Sequence, residues 1–207
     1  MEIKEQPSVI YSIYRDTDAK YVLFTTKRGV VKKTSLDEYL KTKKKNGIAA
    51  INIKEGDELV NVSLIKEEQI MLVSKKGKVI RFNSNEIGIS GRTTMGVKGM
   101  NLDTDDEIVS TVIIRNPNDQ LAVFSAEGHA KKVELKDFLS QKRGGKGIIC
   151  SKEEVAAATL VEDNDTLLVC GRQSSICVKA SEIPLMGRTA AGNAVINNSN
   201  IVSVSKV

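Results

Sequence analysis

The chain has 207 residues, of which 31 are Lys or Arg and 26 Asp or Glu, giving a net charge of +5 with 41% apolar content. That balance predicts an ordinary folded, soluble chain long enough to bury a core, not a disordered one. Only 4% of residues are aromatic and none is Trp, a poor endowment for stacking single-stranded bases.

No apolar run approaches the ~20 residues of a helical membrane span, and residues 1–7 (MEIKEQP) lack the apolar stretch of a secretory signal. Three widely spaced cysteines, Cys150, Cys170 and Cys177, make no disulfide framework and read as reduced, small apolar core residues of a cytoplasmic protein. The single histidine, His129, follows Gly128 and reads as a surface turn residue. Phosphate loops, HExxH and GxSxG are absent, so the chain shows no enzymatic chemistry of its own and no small-molecule substrate or metal site is expected.

In chain order, residues 9–13 (VIYSI) read as the closing strand of a unit that begins earlier. Residues 21–33 (YVLFTTKRGVVKK) then form an apolar run, a polar turn with Gly29 and a second apolar run ending in bases. This is a β-hairpin pattern, with Gly supplying positive φ. It recurs at 70–81 (IMLVSKKGKVIR), 121–132 (LAVFSAEGHAKK) and 167–179 (LLVCGRQSSICVK), where Ser174 takes the Gly place. Gly29, Gly77, Gly128 and Ser174 follow one another at intervals of 48, 51 and 46 residues.

Each hairpin leads into a polar loop. GIAAINI (47–53) or GVKGMNL (96–102) follows, then an acidic turn (54–58, 103–107) and a last strand (59–65, 108–114). Residues 35–38 have capping-box spacing but room for little more than one helical turn. Three to four strands per unit, at a period of roughly 40–50 residues, predict an all-β propeller-like fold of four blades. The expected organisation is one domain over 1–207, with units at about 20–69, 70–120, 121–166 and 167–207 and the closing strand of a preceding blade at 8–14.

The loops alternate in type. Residues 91–96 (GRTTMG) and 187–192 (GRTAAG) carry Arg92 and Arg188, while 41–47 (KTKKKNG) and 141–147 (QKRGGKG) are basic. Over 20–46 nine bases face two acids, and over 131–146 six face two. Recurring in successive blades, such loops would make a positive belt, the footprint of a polyanion held by its phosphates.

At these residues the chain resembles a known family. QKRGGKG is similar to the QRRGGKG box of the DNA gyrase A C-terminal domain, with Lys142 for the first Arg. The hairpin, GRTxxGVKG and acidic-turn order is also that family's, over residues 8–207. The resemblance implies a β-pinwheel whose neighbouring blades exchange strands, which binds double-stranded DNA and bends it around its rim. It also implies a parent enzyme, a bacterial, nucleoid-associated, ATP-dependent topoisomerase. The rest of the DNA-cleaving gyrase A polypeptide and the separate ATPase polypeptide, gyrase B, would be its partners, with ATP and Mg acting elsewhere than in this domain.

The family carries its box in its first blade, whereas here the better box lies in the third unit; the four units look most like the last four of six. Residues 41–47 lack the paired glycines. The related C-terminal domain of topoisomerase IV is an alternative, and a propeller that docks acidic protein partners is the alternative from another class. Tyr11, Tyr14, Tyr21 and Tyr39 do not follow an Arg, which places the cleavage core outside these residues.

The expected clamp is Gln141, Lys142, Arg143, Gly144, Gly145, Lys146 and Gly147, with Lys41, Lys43, Lys44 and Lys45 as a second contact. Lys32, Lys33, Lys131 and Lys132 are expected to extend the path. Arg92 and Arg188 either touch DNA or brace the blades.

Overall fold

The computed structural model describes residues 18–41, 47–197 and 200–207; Lys43, Lys44, Lys45 and the closing strand expected at 9–13 lie outside them. The hairpins form as the alternating apolar pattern requires: β1 (Tyr21–Thr26) with β2 (Val30–Ser35), and β4 (Gln69–Ser74) with β5 (Lys78–Asn83). The other two are β8 (Gln120–Ser125) with β9 (His129–Glu134), and β12 (Thr166–Gly171) with β13 (Ser175–Lys179). Gly29, Gly77 and Gly128 turn the first three at φ of 78°, 76° and 99°.

A closing strand pairs antiparallel with the first strand of each hairpin. These are β3 (Leu59–Ile65), β7 (Ile108–Ile114), β11 (Val155–Val161) and β15 (Ile201–Lys206), and each carries a register shift near the end of the pairing.

The fourth strand of a sheet comes from the next unit. Two-residue strands β6 (Val97–Lys98), β10 (Ile148–Ile149) and β14 (Asn193–Ala194) pair with β2, β5 and β9 respectively. The sheets therefore run β3-β1-β2-β6, β7-β4-β5-β10 and β11-β8-β9-β14, with three strands β15-β12-β13 in the last. The fold is the all-β, four-bladed arrangement expected, with strands exchanged between neighbours. The exception is residues 47–53, which form no strand.

Most blade strands are apolar on both faces because both faces are covered. On β4, Ile70 and Leu72 pack with Leu23, Val31 and Ile65 of the first blade, while Met71 and Val73 pack with Leu121, Val133 and Phe138 of the third. Burying a side chain of this size contributes about 1.5–3 kcal/mol, so the inter-blade layers hold the molecule together. β3, β7, β11 and β15 face the centre, where a cavity of about 470 Å³ opens between them. Among the described residues the one α-helix, α1 (Asp37–Leu40), is the single turn foreseen. Leu36 is its N-cap and makes no side-chain cap bond, so the capping box at 35–38 does not form.

Candidate nucleic-acid interface

The loops that lead into β6, β10 and β14 cross the outer edge of the preceding blade and are pinned at both ends. At their starts, the amides of Ser90, Gln141 and Met186 donate to the carbonyls of Lys33, Arg81 and Lys132 at 2.9, 2.7 and 2.9 Å. At their ends, paired amides (Gly99 and Met100, Cys150 and Ser151, Val195 and Ile196) share the carbonyls of Gly29, Gly77 and Gly128. The closing glycines Gly96, Gly147 and Gly192 adopt φ of 89°, 71° and 97°. A Cβ there would stand 2.6–2.7 Å from the carbonyl oxygens of Val31, Val79 and Ala130, so only Gly permits the crossing.

Four residues before each closing glycine stands an arginine. Arg92 donates from Nη1 to the carbonyl of Ala49 at 3.2 Å, and Arg188 from Nη1 to that of Ile149 at 2.8 Å. Arg143 donates in the same way to the carbonyl of Lys98, while its amide and Nε reach the side chain and carbonyl of Glu86 at 2.8 and 3.1 Å. Of the two roles weighed for Arg92 and Arg188, the structure displays bracing, and Arg143 of the box shares it.

The box loop is further fixed by the Gly144 amide on the Gly99 carbonyl (2.8 Å) and the Gly145 carbonyl on the Asn101 amide (2.9 Å). Gly144 has φ of 81°. Gly145 has ordinary φ, and its Cβ would meet Lys142 O at 3.3 Å and Ile80 Cδ1 at 3.4 Å. Gln141 is half-buried, whereas Lys142 and Lys146 are exposed and neither ammonium makes a hydrogen bond or ion pair with the described residues, although Lys146 acts electrostatically on Asp103.

Lys32, Lys33, Lys131 and Lys132 depart from expectation. These residues are buried, at 0–4% exposure, and cannot line a surface path. Lys32 Nζ donates to the carbonyls of Ala50 and Arg92 at 2.6 and 2.5 Å, and Lys131 Nζ to those of Arg188 and Ala190. Lys33 Nζ reaches the Ser84 carbonyl at 2.9 Å, and Lys132 Nζ pairs with Asp163. A buried ammonium is tolerated only with such partners. Burial pushes the Lys32 ammonium down to about 8, and lowers those of Lys33 and Lys131 from the usual lysine value.

These lysines also account for the alternation of loop types. GRTxxG loops cross the blades that carry Lys32 and Lys131; the box crosses the blade that has Ile80 at the matching place and lays Gly145 against it.

Lys41 is exposed and ion-paired with Asp37 at 2.7 Å. Lys98, exposed on β6 beside the box, was not singled out from the sequence. Its signal was position, two residues after Gly96 in GVKG. Among the cysteines, Cys150 is buried, Cys170 half-buried and Cys177 exposed, so the core reading fails for Cys177, which lies on the uncovered β13. His129 is half-buried and opens β9, not a free turn residue.

Known proteins repeat this arrangement. The family described as DNA gyrase C-terminal domain, beta-propeller, matches residues 20–66, 68–115, 119–168 and 178–205. The DNA gyrase A polypeptide of Mycolicibacterium smegmatis is 33% identical over 203 residues, 94% of this chain and 24% of that protein. Its counterpart from Kosmotoga olearia is 33% identical over 95% of this chain and 25% of its own length. The chain thus spans about a quarter of these curated relatives.

Among solved structures, the C-terminal domain of a DNA topoisomerase IV superposes with a TM-score of 0.88 at 29% identity, covering 94% of this chain and 64% of that one. A DNA gyrase A C-terminal domain gives 0.81 at 28%, covering 92% and 66%. The strand exchange, the box loop and the matched residues place this chain in the DNA gyrase C-terminal domain family.

Proposed function

We propose that this chain binds and wraps double-stranded DNA along its rim, as the non-catalytic part of the DNA-cleaving polypeptide of a type II topoisomerase. The observation that carries this reading is the box loop. Anchored at both ends and braced by Arg143, it leaves Lys142 and Lys146 as exposed, unpaired cations on a fixed support. Phosphates are neutralised by such cations with release of counterions, and no base need be read. Bending 20–30 bp by 40–90° costs on the order of 1–6 kcal/mol, so further contacts on other blades are required. Lys98, Lys41 and the segment holding Lys43, Lys44 and Lys45 are those contacts.

In the holoenzyme, cleavage belongs to the rest of the gyrase A polypeptide, and ATP with Mg to gyrase B, in the bacterial cytoplasm at the nucleoid. Introduction of negative supercoils is the activity this wrapping would serve. The higher structural similarity to a topoisomerase IV domain favours, as second reading, substrate selection for decatenation.

A relaxation experiment tests both. Closed circular DNA is relaxed with the chain bound, and its linking number is read after protein removal. A positive-handed shift supports wrapping for supercoiling; binding without a shift supports the second reading; no binding at low salt overturns both.

A further inference from the structure

We propose that Glu127, His129 and Glu153 form a binding site for one divalent transition-metal ion, of the zinc type, at the turn of the third hairpin. Their ligand atoms all lie within 4.8 Å of one another, and His129 Nδ1 stands 3.0 Å from Glu153 Oε2. An ion held at 2.0–2.2 Å from N and O ligands in tetrahedral geometry separates them by roughly 3.3–3.5 Å, within reach of small side-chain adjustments. One imidazole and two carboxylates leave the fourth position to water. That donor set suits zinc and its neighbours better than the all-oxygen shells of calcium or magnesium.

The other blades show that this turn is built differently from its counterparts. In the first two, the turn bases Lys27 and Lys75 donate their amides to the carbonyls of Glu58 and Glu107, each at 2.8 Å. The next bases, Arg28 and Lys76, donate their amides to Asp57 Oδ1 and Asp106 Oδ1, each at 2.9 Å. In the third blade the Ala126 amide meets the Glu154 carbonyl at 2.7 Å, so Glu153 occupies the place of Asp57 and Asp106. There both turn bases are replaced, by Ala126 and Glu127. A place where a carboxylate accepts the turn amide of a basic residue in two blades here sets two carboxylates together, and the chain's single histidine completes the set. The longer Glu153 reaches past the turn amide to the imidazole.

The support is rigid. His129 is a residue of β9 paired with Ala194 of β14, and its amide donates to Ser125 Oγ at 3.2 Å. Ser151 Oγ accepts from the Glu153 amide and donates to its carbonyl, at 3.1 and 2.9 Å. The buried Lys131, which acts electrostatically on Glu153, is engaged by the carbonyls of Arg188 and Ala190. A bound ion would tie the hairpin turn to the segment entering β11.

The test is calorimetric titration of Zn²⁺ into the chelator-treated chain, with Co²⁺ absorption as a second reading of geometry. One equivalent should bind, and Co²⁺ should give the d–d bands of a tetrahedral N/O site without thiolate charge transfer. His129→Ala should weaken binding by at least about tenfold, the lower end of what even supporting residues of metal sites contribute. Glu127→Gln, an exposed turn change that leaves packing intact, should weaken it as well. Zn²⁺ binding that survives in both variants, that shows thiolate bands, or that is absent in the parent chain overturns the site.

Discussion

Arg188 donates from Nη1 to the main-chain oxygen of Ile149, 2.8 Å away, joining the fourth unit's loop to the strand that the third unit lends to the second blade. With Arg92 on Ala49 and Arg143 on Lys98, it makes each rim segment hold the one before it. Arg188→Ala should lower stability by about 1.5–3 kcal/mol, the range for hydrogen bonds from charged groups, read as a reduced urea midpoint with unchanged m. Arg188→Lys should not restore it, because an ammonium on a shorter, unforked stem does not reproduce the guanidinium geometry.

The Lys142 and Lys146 side chains make no hydrogen bond or ion pair with the described residues, so Lys142→Ala with Lys146→Ala should shift stability by no more than about 0.5 kcal/mol. DNA affinity at low salt should fall, and the slope of log K against log salt should become shallower by about 1.8, from 0.9 per phosphate neutralised. Fluorescence anisotropy with a random-sequence duplex at several salt concentrations checks both. An unchanged slope would remove these two residues from the interface.

Gly147 and Gly47, which end the two basic loops, differ in what a methyl group would meet. Gly147→Ala puts a Cβ 2.6 Å from Val79 O at φ of 71°, whereas Gly47→Ala, at φ of 75°, meets nothing within 4 Å. Gly147→Ala should therefore cost more than the ~1–3 kcal/mol typical of a strained backbone residue, and Gly47→Ala no more than that. Paired chemical-denaturation curves decide it. Gly144→Ala plus Gly145→Ala should disturb the loop for two separate reasons, positive φ at Gly144 and contact with Ile80 at Gly145.

Lys32 provides a pH signature. Burial holds its folded-state value at about 8, while in the unfolded chain it lies near ~10.4. Between these values the unfolded chain binds more protons, so the contribution of Lys32 to stability grows as pH rises from about 8 toward 10. Unfolding free energies of parent and Lys32→Met proteins, compared at pH 7.5 and 9.5, should diverge in favour of the parent at the higher pH. A constant difference would mean that Lys32 stays charged in the fold.

Thiol chemistry should separate the three cysteines. Burial pushes the Cys150 thiol up to about 12, and reactivity follows thiolate fraction and access. Exposed Cys177 should react first with a disulfide reagent, half-buried Cys170 more slowly, and Cys150 only after unfolding. Mass spectrometry of timed samples reads the order.

The hairpins were legible because apolar runs broken by Gly at intervals of 48 and 51 residues leave few other ways to bury both faces of a strand. The pairing of β6, β10 and β14 was not, since two-residue strands carry no period of their own and their partners lie in another unit. Lys32, Lys33, Lys131 and Lys132 misled for a related reason: composition reports charge and not direction, and a strand buried on both faces points one of two consecutive lysines to each side. The brace was readable in principle, because Arg92, Arg143 and Arg188 all stand four residues before a closing glycine. The motif drew Arg143 toward the box and away from that comparison.

Strand exchange has a consequence for how the molecule comes apart. A blade whose outer strand belongs to its neighbour has no complete sheet of its own, so opening one of the first three also strips β6, β10 or β14 from the next unit. Independent repeats would melt by nearest-neighbour steps; here those steps are interlocked. The exception is the β15-β12-β13 sheet, whose outer edge has no partner among the described residues and leaves Ile176 41% exposed. Amide exchange should start at that edge and reach the amides of β4 and β8 last, making the fourth blade the place where the structure first yields.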